Sequence, residues 1–208
     1  MTTAMTWEEK FEAEKKRSDE EHHNPTAGAM IGHVTSNLWV HRAKIEQVAL
    51  FAQGSASQFL ETYAVKWQEK EADFSYRLNR ALVAEDDLVP TLTSQFGEFS
   101  MLTESWEMKF KSGEEQLFDL INDFDIQLMF ITRAISLAVE EKHYEQEDVL
   151  KELYAWMREQ IAAGQKFLGH DFADGLTGLN ARDEDWDRTK EELRQDRDGN
   201  CDDDKEEP

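Results

Sequence analysis

The chain has 208 residues, enough for one ordinary domain with tails and too few for two full ones. Its 45 acidic residues against 23 basic ones give a formal charge of −22, which excludes a basic nucleic-acid surface as the default. Apolar residues at 39%, with 11% aromatic, supply a real core, while 33% charged residues is high enough to place part of the chain in solvated tails. No stretch approaches the roughly 18 uninterrupted apolar residues of a membrane span. The acidic start, Met1 to Glu14, lacks the basic and apolar regions of a signal peptide, so a cytoplasmic protein is expected. The one cysteine, Cys201, cannot staple a monomer, and its acidic neighbours disfavour the thiolate.

Charge divides the chain unevenly. Residues 1–29 read as an acidic N-terminal extension of net charge −3, residues 30–170 as the folded core at −10, and residues 171–208 as an acidic tail at −9. The tail has too few apolar residues to offset chain entropy, so it is expected to be largely disordered, with at best a marginal helix at Glu184–Arg194. Asp196, Asp198 and Asn200 beside Gly199 miss the spacing of a calcium loop and lack its distal glutamate. In the extension, Trp7 and Phe11 with Glu8-Glu9-Lys10 predict a short amphipathic helix that docks on a neighbouring subunit or a partner.

Between residues 30 and 170 the apolar spacing is helical almost throughout. Ile31, Val34, Leu38, Ile45, Val48 and Ala52 predict a first long helix stopped at Gly54. Ser55 or Ser57 can cap a second, with the stripe Leu60, Tyr63, Trp67, Phe74, Leu78 and Ala81, ending at Glu85-Asp86-Asp87. A connector from Val89 to Ser112 is too irregular for a long helix and suits one short helical segment. Leu117, Ile121, Phe124, Leu128, Ile131, Ile135 and Ala138 mark a third helix, stopped near His143. Val149, Leu153, Trp156, Met157, Ile161, Gly164 and Leu168 mark a fourth, ended by Gly169. Four such stripes without strand alternation specify an all-α four-helix bundle, and the long crossover between the second and third helices is the mark of the ferritin-like kind.

These residues resemble the Dps, or mini-ferritin, family. Lys44 to Gly54-Ser55 sits like the end of the family's first helix, with Leu50 at its tryptophan. Pro90-Thr91-Leu92-Thr93-Ser94-Gln95-Phe96 and Ser100-Met101-Leu102 resemble its crossover. Arg133-Ala134-Ile135-Ser136-Leu137-Ala138, and Gln165-Lys166-Phe167-Leu168-Gly169 at the end of the fourth helix, resemble its last helices. The resemblance covers residues 30–170. It implies a homo-oligomeric shell of twelve subunits that oxidises ferrous iron between two-fold-related copies and stores it, with ligands from two histidines, two aspartates and a glutamate.

Carried over position by position, with a gap of about three residues after Gly54, the first histidine falls on Ala49 and the second near Ser57. The first aspartate falls on Glu61, which can still ligate, and the Asp and Glu one turn apart fall on Ala72 and Tyr76, ahead of the matching Arg77. Glu69 and Asp73, at i and i+4, form a second candidate metal pair, set against a solvated ion-pair face with Lys66, Lys70 and Arg77. Glu140 and His143 have Glu-x-x-His spacing but no matching motif on another helix. His41 reads as an interior or interface histidine held by hydrogen bonds. His33 and His22-His23 lack the ligand number of a site. Trp39, Trp67, Trp106 and Trp156 read as core or subunit interface.

Direct DNA binding is disfavoured, because Lys15-Lys16-Arg17 are flanked by Glu12, Glu14, Asp19, Glu20 and Glu21. The leading expectation is a Dps-like cage for iron storage or protection from iron's redox chemistry, with its oxidation site altered or lost and iron the one cofactor expected. Competing with it are a non-catalytic shell that recruits a basic protein partner through its acidic tails, and an acidic decoy for a basic groove.

Overall fold

A computed structural model of the chain describes residues 5–23 and 25–177, and among these every regular element is helical. The Glu184–Arg194 segment, the Asp196–Asn200 cluster and Cys201 lie outside the described residues.

Helix α1 spans Trp7–His23. Its start follows from sequence: Thr6 Oγ1 accepts from the Glu9 amide at 3.3 Å, and Glu9 Oε2 accepts from the Thr6 amide at 2.8 Å. The expected short helix is therefore 17 residues long. Arg17 ties it to the bundle, donating to the Asp86 carbonyl at 2.5 Å and to Asp87 Oδ1 at 3.3 Å, while Trp7 and Phe11 stay exposed.

Helix α2, Ala27–Phe51, opens where Thr26 Oγ1 accepts from the Ala29 amide at 3.1 Å. Helix α3, Ser55–Ala84, follows a turn in which Gly54 adopts φ +70, a conformation that favours glycine. Neither expected serine caps it: Gly54 holds the cap position and no side chain bonds there, since α3 already begins at Ser55. The crossover holds a short helix α4, Thr93–Phe99, and a 3-10 turn at Glu107–Phe110, one more helical turn than the sequence suggested. Helix α5, Gly113–Glu141, opens on a reciprocal capping box between Ser112 and Glu115. Lys142 ends it at φ +66, and α6, Tyr144–Leu168, ends at Gly169.

The pairings fix the topology. His33 meets Phe130 while Lys44 meets Asp119, so α2 and α5 run antiparallel. His41 meets Glu71 while Arg42 meets Gln68, and Trp67 meets Gln160 while Arg77 meets Glu152, so α2 with α3 and α3 with α6 are antiparallel as well. The order is thus up-down-down-up, with α3 and α5 on a diagonal, and only a crossover running the length of the bundle can connect them. That crossover is pinned to α2. Trp39 stacks on Phe96 at 5.1 Å, His33 Nδ1 contacts the Phe99 carbonyl at 2.7 Å, and Asn37 Oδ1 accepts from Ser100 Oγ at 3.1 Å and the Met101 amide at 2.7 Å.

The tail starts by packing. Leu176 is buried, Phe172 rests on the core, and the Thr177 amide and hydroxyl donate to Asn122 Oδ1 of α5. Residues 171–177 therefore continue the bundle surface, past the boundary the composition suggested.

Candidate functional site

Helix α3 carries the positions to which the resemblance points. At about 100° per residue, Ser57, Glu61, Val65, Glu69, Ala72 and Tyr76 share one side of it. That side faces outward: Glu61, Glu69 and Val65 are exposed, and Tyr76 is 65% exposed. Ala49, at the end of α2, is exposed too. Three of these positions now carry an alanine, an alanine and a tyrosine, and no imidazole stands at any of them.

Asp73 is drawn into ion pairs with Lys70 at 3.6 Å and Arg77 at 3.8 Å, and Arg77 reaches on to Glu152 of α6 at 2.8 Å. Glu61 precedes Asp73 by twelve residues, about 18 Å along a helix, so the two cannot share an ion within one subunit. Among the described residues no three His, Cys, Asp or Glu side chains converge so as to hold a metal ion. His143 faces Glu85, Asp87 and Glu141 at 3.7–3.9 Å, at the end of the bundle where α1 is anchored.

The densest charge lies elsewhere, inside the bundle. His41 of α2 contacts Glu71 of α3 at 2.6 Å, Nδ1 to Oε1, and turns Nε2 toward the Leu120 carbonyl of α5 at 3.3 Å. One turn on, Lys44 bonds Asp119 at 2.9 Å and also Asp123. Only Asp119 reaches solvent appreciably. Both imidazole nitrogens face acceptors, the arrangement of an imidazolium that donates twice. Burial pulls the His41 pKa down, but the charge and hydrogen bond of Glu71, with Asp123 nearby, outweigh it and leave it above its ordinary value. Burial raises Glu71 against the opposing pull of His41, so the pair keeps one proton between them. Burial also pushes Asp123 up to about 6, although Lys44 opposes it. Sequence reasoning placed His41 inside and held by hydrogen bonds, as it is, but missed its partner. Glu71 looks like any other charge among Glu69, Lys70 and Asp73, and the signal was its place on the Trp67–Phe74–Leu78 stripe.

Solved structures share this architecture over most of the chain. The Lactococcus lactis DpsB protein is 32% identical, superposes with a TM-score of 0.75, and is matched over 80% of this chain and 96% of its own length. The chain belongs to the Dps family. A second Lactococcus lactis relative, the DpsA protein, is 31% identical with a TM-score of 0.76 over 81% of this chain and 99% of that one. Dps from Listeria monocytogenes, at 19% identity and a TM-score of 0.68 over 72% of this chain and 97% of its own, shares the fold. No family model and no curated protein matches the chain. The Dps fold accounts for the crossover and the up-down-down-up order. No helix among the described residues of this Dps chain is long and apolar enough to cross a membrane.

Proposed function

We propose that this Dps-family chain assembles into a hollow homo-oligomeric cage, twelve copies by family resemblance, that stores iron or protects against its redox chemistry in the cytoplasm, and that ferrous oxidation at the seat between two-fold-related subunits is altered or lost. One observation carries the second half: the outward face of α3 presents Ala72 and Tyr76 where the resemblance calls for an aspartate and a glutamate one turn apart. Ferrous iron needs oxygen and nitrogen ligands close together with positions left open for an oxidant. An alanine methyl and a phenol do not supply them, and Glu61 alone is too few. Glu69 and Asp73 remain the candidate carboxylates for a weaker cation contact on the same helix.

Assembly has its own support. Phe51, Trp106 and Phe110 gather around the Lys109 ammonium, 5.0–5.5 Å from their ring centroids, and are 47%, 77% and 79% exposed in the isolated subunit, an aromatic surface that another copy would bury. The test adds ferrous iron and peroxide under air to the purified protein. Oxidation no faster than a protein-free blank supports loss of the seat, and a ferric mineral co-eluting with the cage supports storage. Fast, saturable oxidation would overturn the first, and absence of retained mineral the second.

Replacement of four of the five ligand positions also favours a second reading, a shell without iron chemistry that recruits a basic protein through its tails. A variant ending at residue 177 separates the two: it keeps any mineral under the first reading and loses a captured basic partner under the second. Direct DNA binding is not part of either reading.

A further inference from the structure

Three oxidisable rings cross the bundle, and the proposed iron chemistry uses none of them. Half-buried Trp156 of α6 packs edge-on against buried Phe124 of α5, with centroids 5.6 Å apart at 85°. Phe124 meets buried Trp67 of α3 in the same way, at 5.1 Å and 85°. Trp67 in turn lies 5.7 Å from half-buried Tyr63, one turn back on α3. Contacts of this kind are ordinary core packing. What sets these apart is their chemistry: indole and phenol are among the side chains that give up one electron most readily, and tunnelling weakens steeply with the gap between ring edges. Rings in contact therefore pass an electron vacancy along, and a single phenylalanine between two indoles adds only one ring's width.

We propose that Trp156, Trp67 and Tyr63 form a path that carries an electron vacancy from the α6 surface through the bundle to the Tyr63 phenol. A one-electron oxidant of the radical or high-valent metal class takes an electron from Trp156 and is itself reduced by one. Trp67 replaces that electron through Phe124 and becomes the indole radical cation. Tyr63 then supplies Trp67, releases its phenolic proton to water, and ends as a neutral tyrosyl radical that a soluble thiol restores by giving up a hydrogen atom.

The direction is set by a hydrogen bond. The Trp67 indole N–H donates to Gln160 Oε1 at 2.9 Å. An amide oxygen accepts a hydrogen bond but is too weak a base to remove the proton, so oxidised Trp67 keeps its charge and its power to oxidise Tyr63. The half-buried phenol, by contrast, can pass its proton to solvent. The path stands whether or not the cage holds iron.

The experiment uses the full assembled chain with a ruthenium polypyridyl photosensitiser tethered beside Trp156, at Ala155→Cys in a Cys201→Ser background, and a soluble electron acceptor. Flash oxidation followed by electron paramagnetic resonance should give a tyrosyl signal in this parent. Tyr63→Phe should replace it with a tryptophanyl signal, and Trp67→Phe should abolish it. Gln160→Glu, which keeps the side chain's shape but adds a base, should hold the vacancy at Trp67 as a neutral radical and lower the tyrosyl yield; it serves if Trp67→Phe does not fold. A tyrosyl yield that survives Tyr63→Phe or stays at the parent level in both Trp67→Phe and Gln160→Glu overturns the path, as does oxidation confined to Trp156 in the parent.

Discussion

His41 of α2 and Glu71 of α3 meet at 2.6 Å with neither side chain exposed, which joins two helices by a hydrogen-bonded acid–base pair in the middle of an apolar bundle. Such pairs are costly to break and cheap to replace, because removing one partner leaves the other buried without its counter-charge. Glu71→Ala is expected to lose about 3–5 kcal/mol, while His41→Leu combined with Glu71→Met should recover most of that loss. Urea midpoints of the three proteins, measured at one protein concentration because assembly feeds into stability, check this. A double variant as unstable as the single would show that the pair itself, not its satisfaction, supports the fold.

Asp123 gives the bundle an unusual response to pH. Its pKa is about 6 in the folded chain against an ordinary 3.8, so the folded state holds a proton that the unfolded state has released. Stability from this group is complete below pH 3.8, declines as pH rises toward 6, and is gone above it. Over the full window the change is about 3 kcal/mol, at 1.36 kcal/mol per pKa unit. His41, also raised, acts with the same sign at higher pH: its contribution is complete below about 6.5 and falls as pH climbs through its folded value. The clean measurement is the stability of the natural protein minus that of Asp123→Asn, which cannot titrate. That difference should shrink from pH 4 to pH 7, and a difference that grows with pH would contradict a raised Asp123.

Ferrous chemistry should return when its ligands do. Ala72→Asp with Tyr76→Glu puts two carboxylates back one turn apart on the outward side of α3, where Tyr76 is exposed and Ala72 half-buried, so neither charge is cut off from water. Adding Ala49→His supplies an imidazole at the end of α2. The triple variant is expected to oxidise ferrous iron faster than the natural chain under air, with the carboxylate pair alone intermediate. No gain in rate from a correctly assembled triple variant would mean that the seat is missing more than its ligands.

How much of this the sequence discloses depends on the range of the interaction. Helix ends are legible because their causes are local: Gly54 and Gly169 lie within a turn of the helices they follow, and the Ser112–Glu115 box that starts α5 is equally local although the stripe alone does not disclose it. The bundle class follows from stripes such as Leu117–Ile121–Phe124–Leu128, and its ferritin-like kind from the length of the Val89–Ser112 connector, while the up-down-down-up order needed the contacts between helices. The candidate ligands were legible only position by position, since Glu61, Glu69 and Asp73 are acids on a helix with many others. The buried network was not legible. Lys44 lies three residues past His41, but Glu71 is 30 residues from His41 and Asp123 is 79 from Lys44, and no periodicity records which acids are paired across helices. Helical spacing marks Trp67 and Trp156 as core or interface, while their shared contact with Phe124 emerges only in the packing.

Helix α6 lies so close to α5 at Gly164 that a Cβ there would come within 2.2 Å of Ile121 Cδ1 and 2.6 Å of its Cγ1. Ile121 is fully buried, so it has little room to turn away, and Gly164 itself lies inside α6 one turn before its end, where glycine is otherwise a poor choice by up to about 1 kcal/mol. Two effects therefore oppose each other in Gly164→Ala: better helix propensity against overpacking of about 1–3 kcal/mol. Overpacking should win and thermal unfolding should come earlier. Adding Ile121→Ala removes both clashing atoms and should relieve the overpacking, so that the double variant is less stable than Ile121→Ala alone by far less than Gly164→Ala is than the natural chain. If Gly164→Ala were neutral or stabilising on its own, α5 and α6 would have to be free to separate, and the close approach would not be what keeps a glycine at that position.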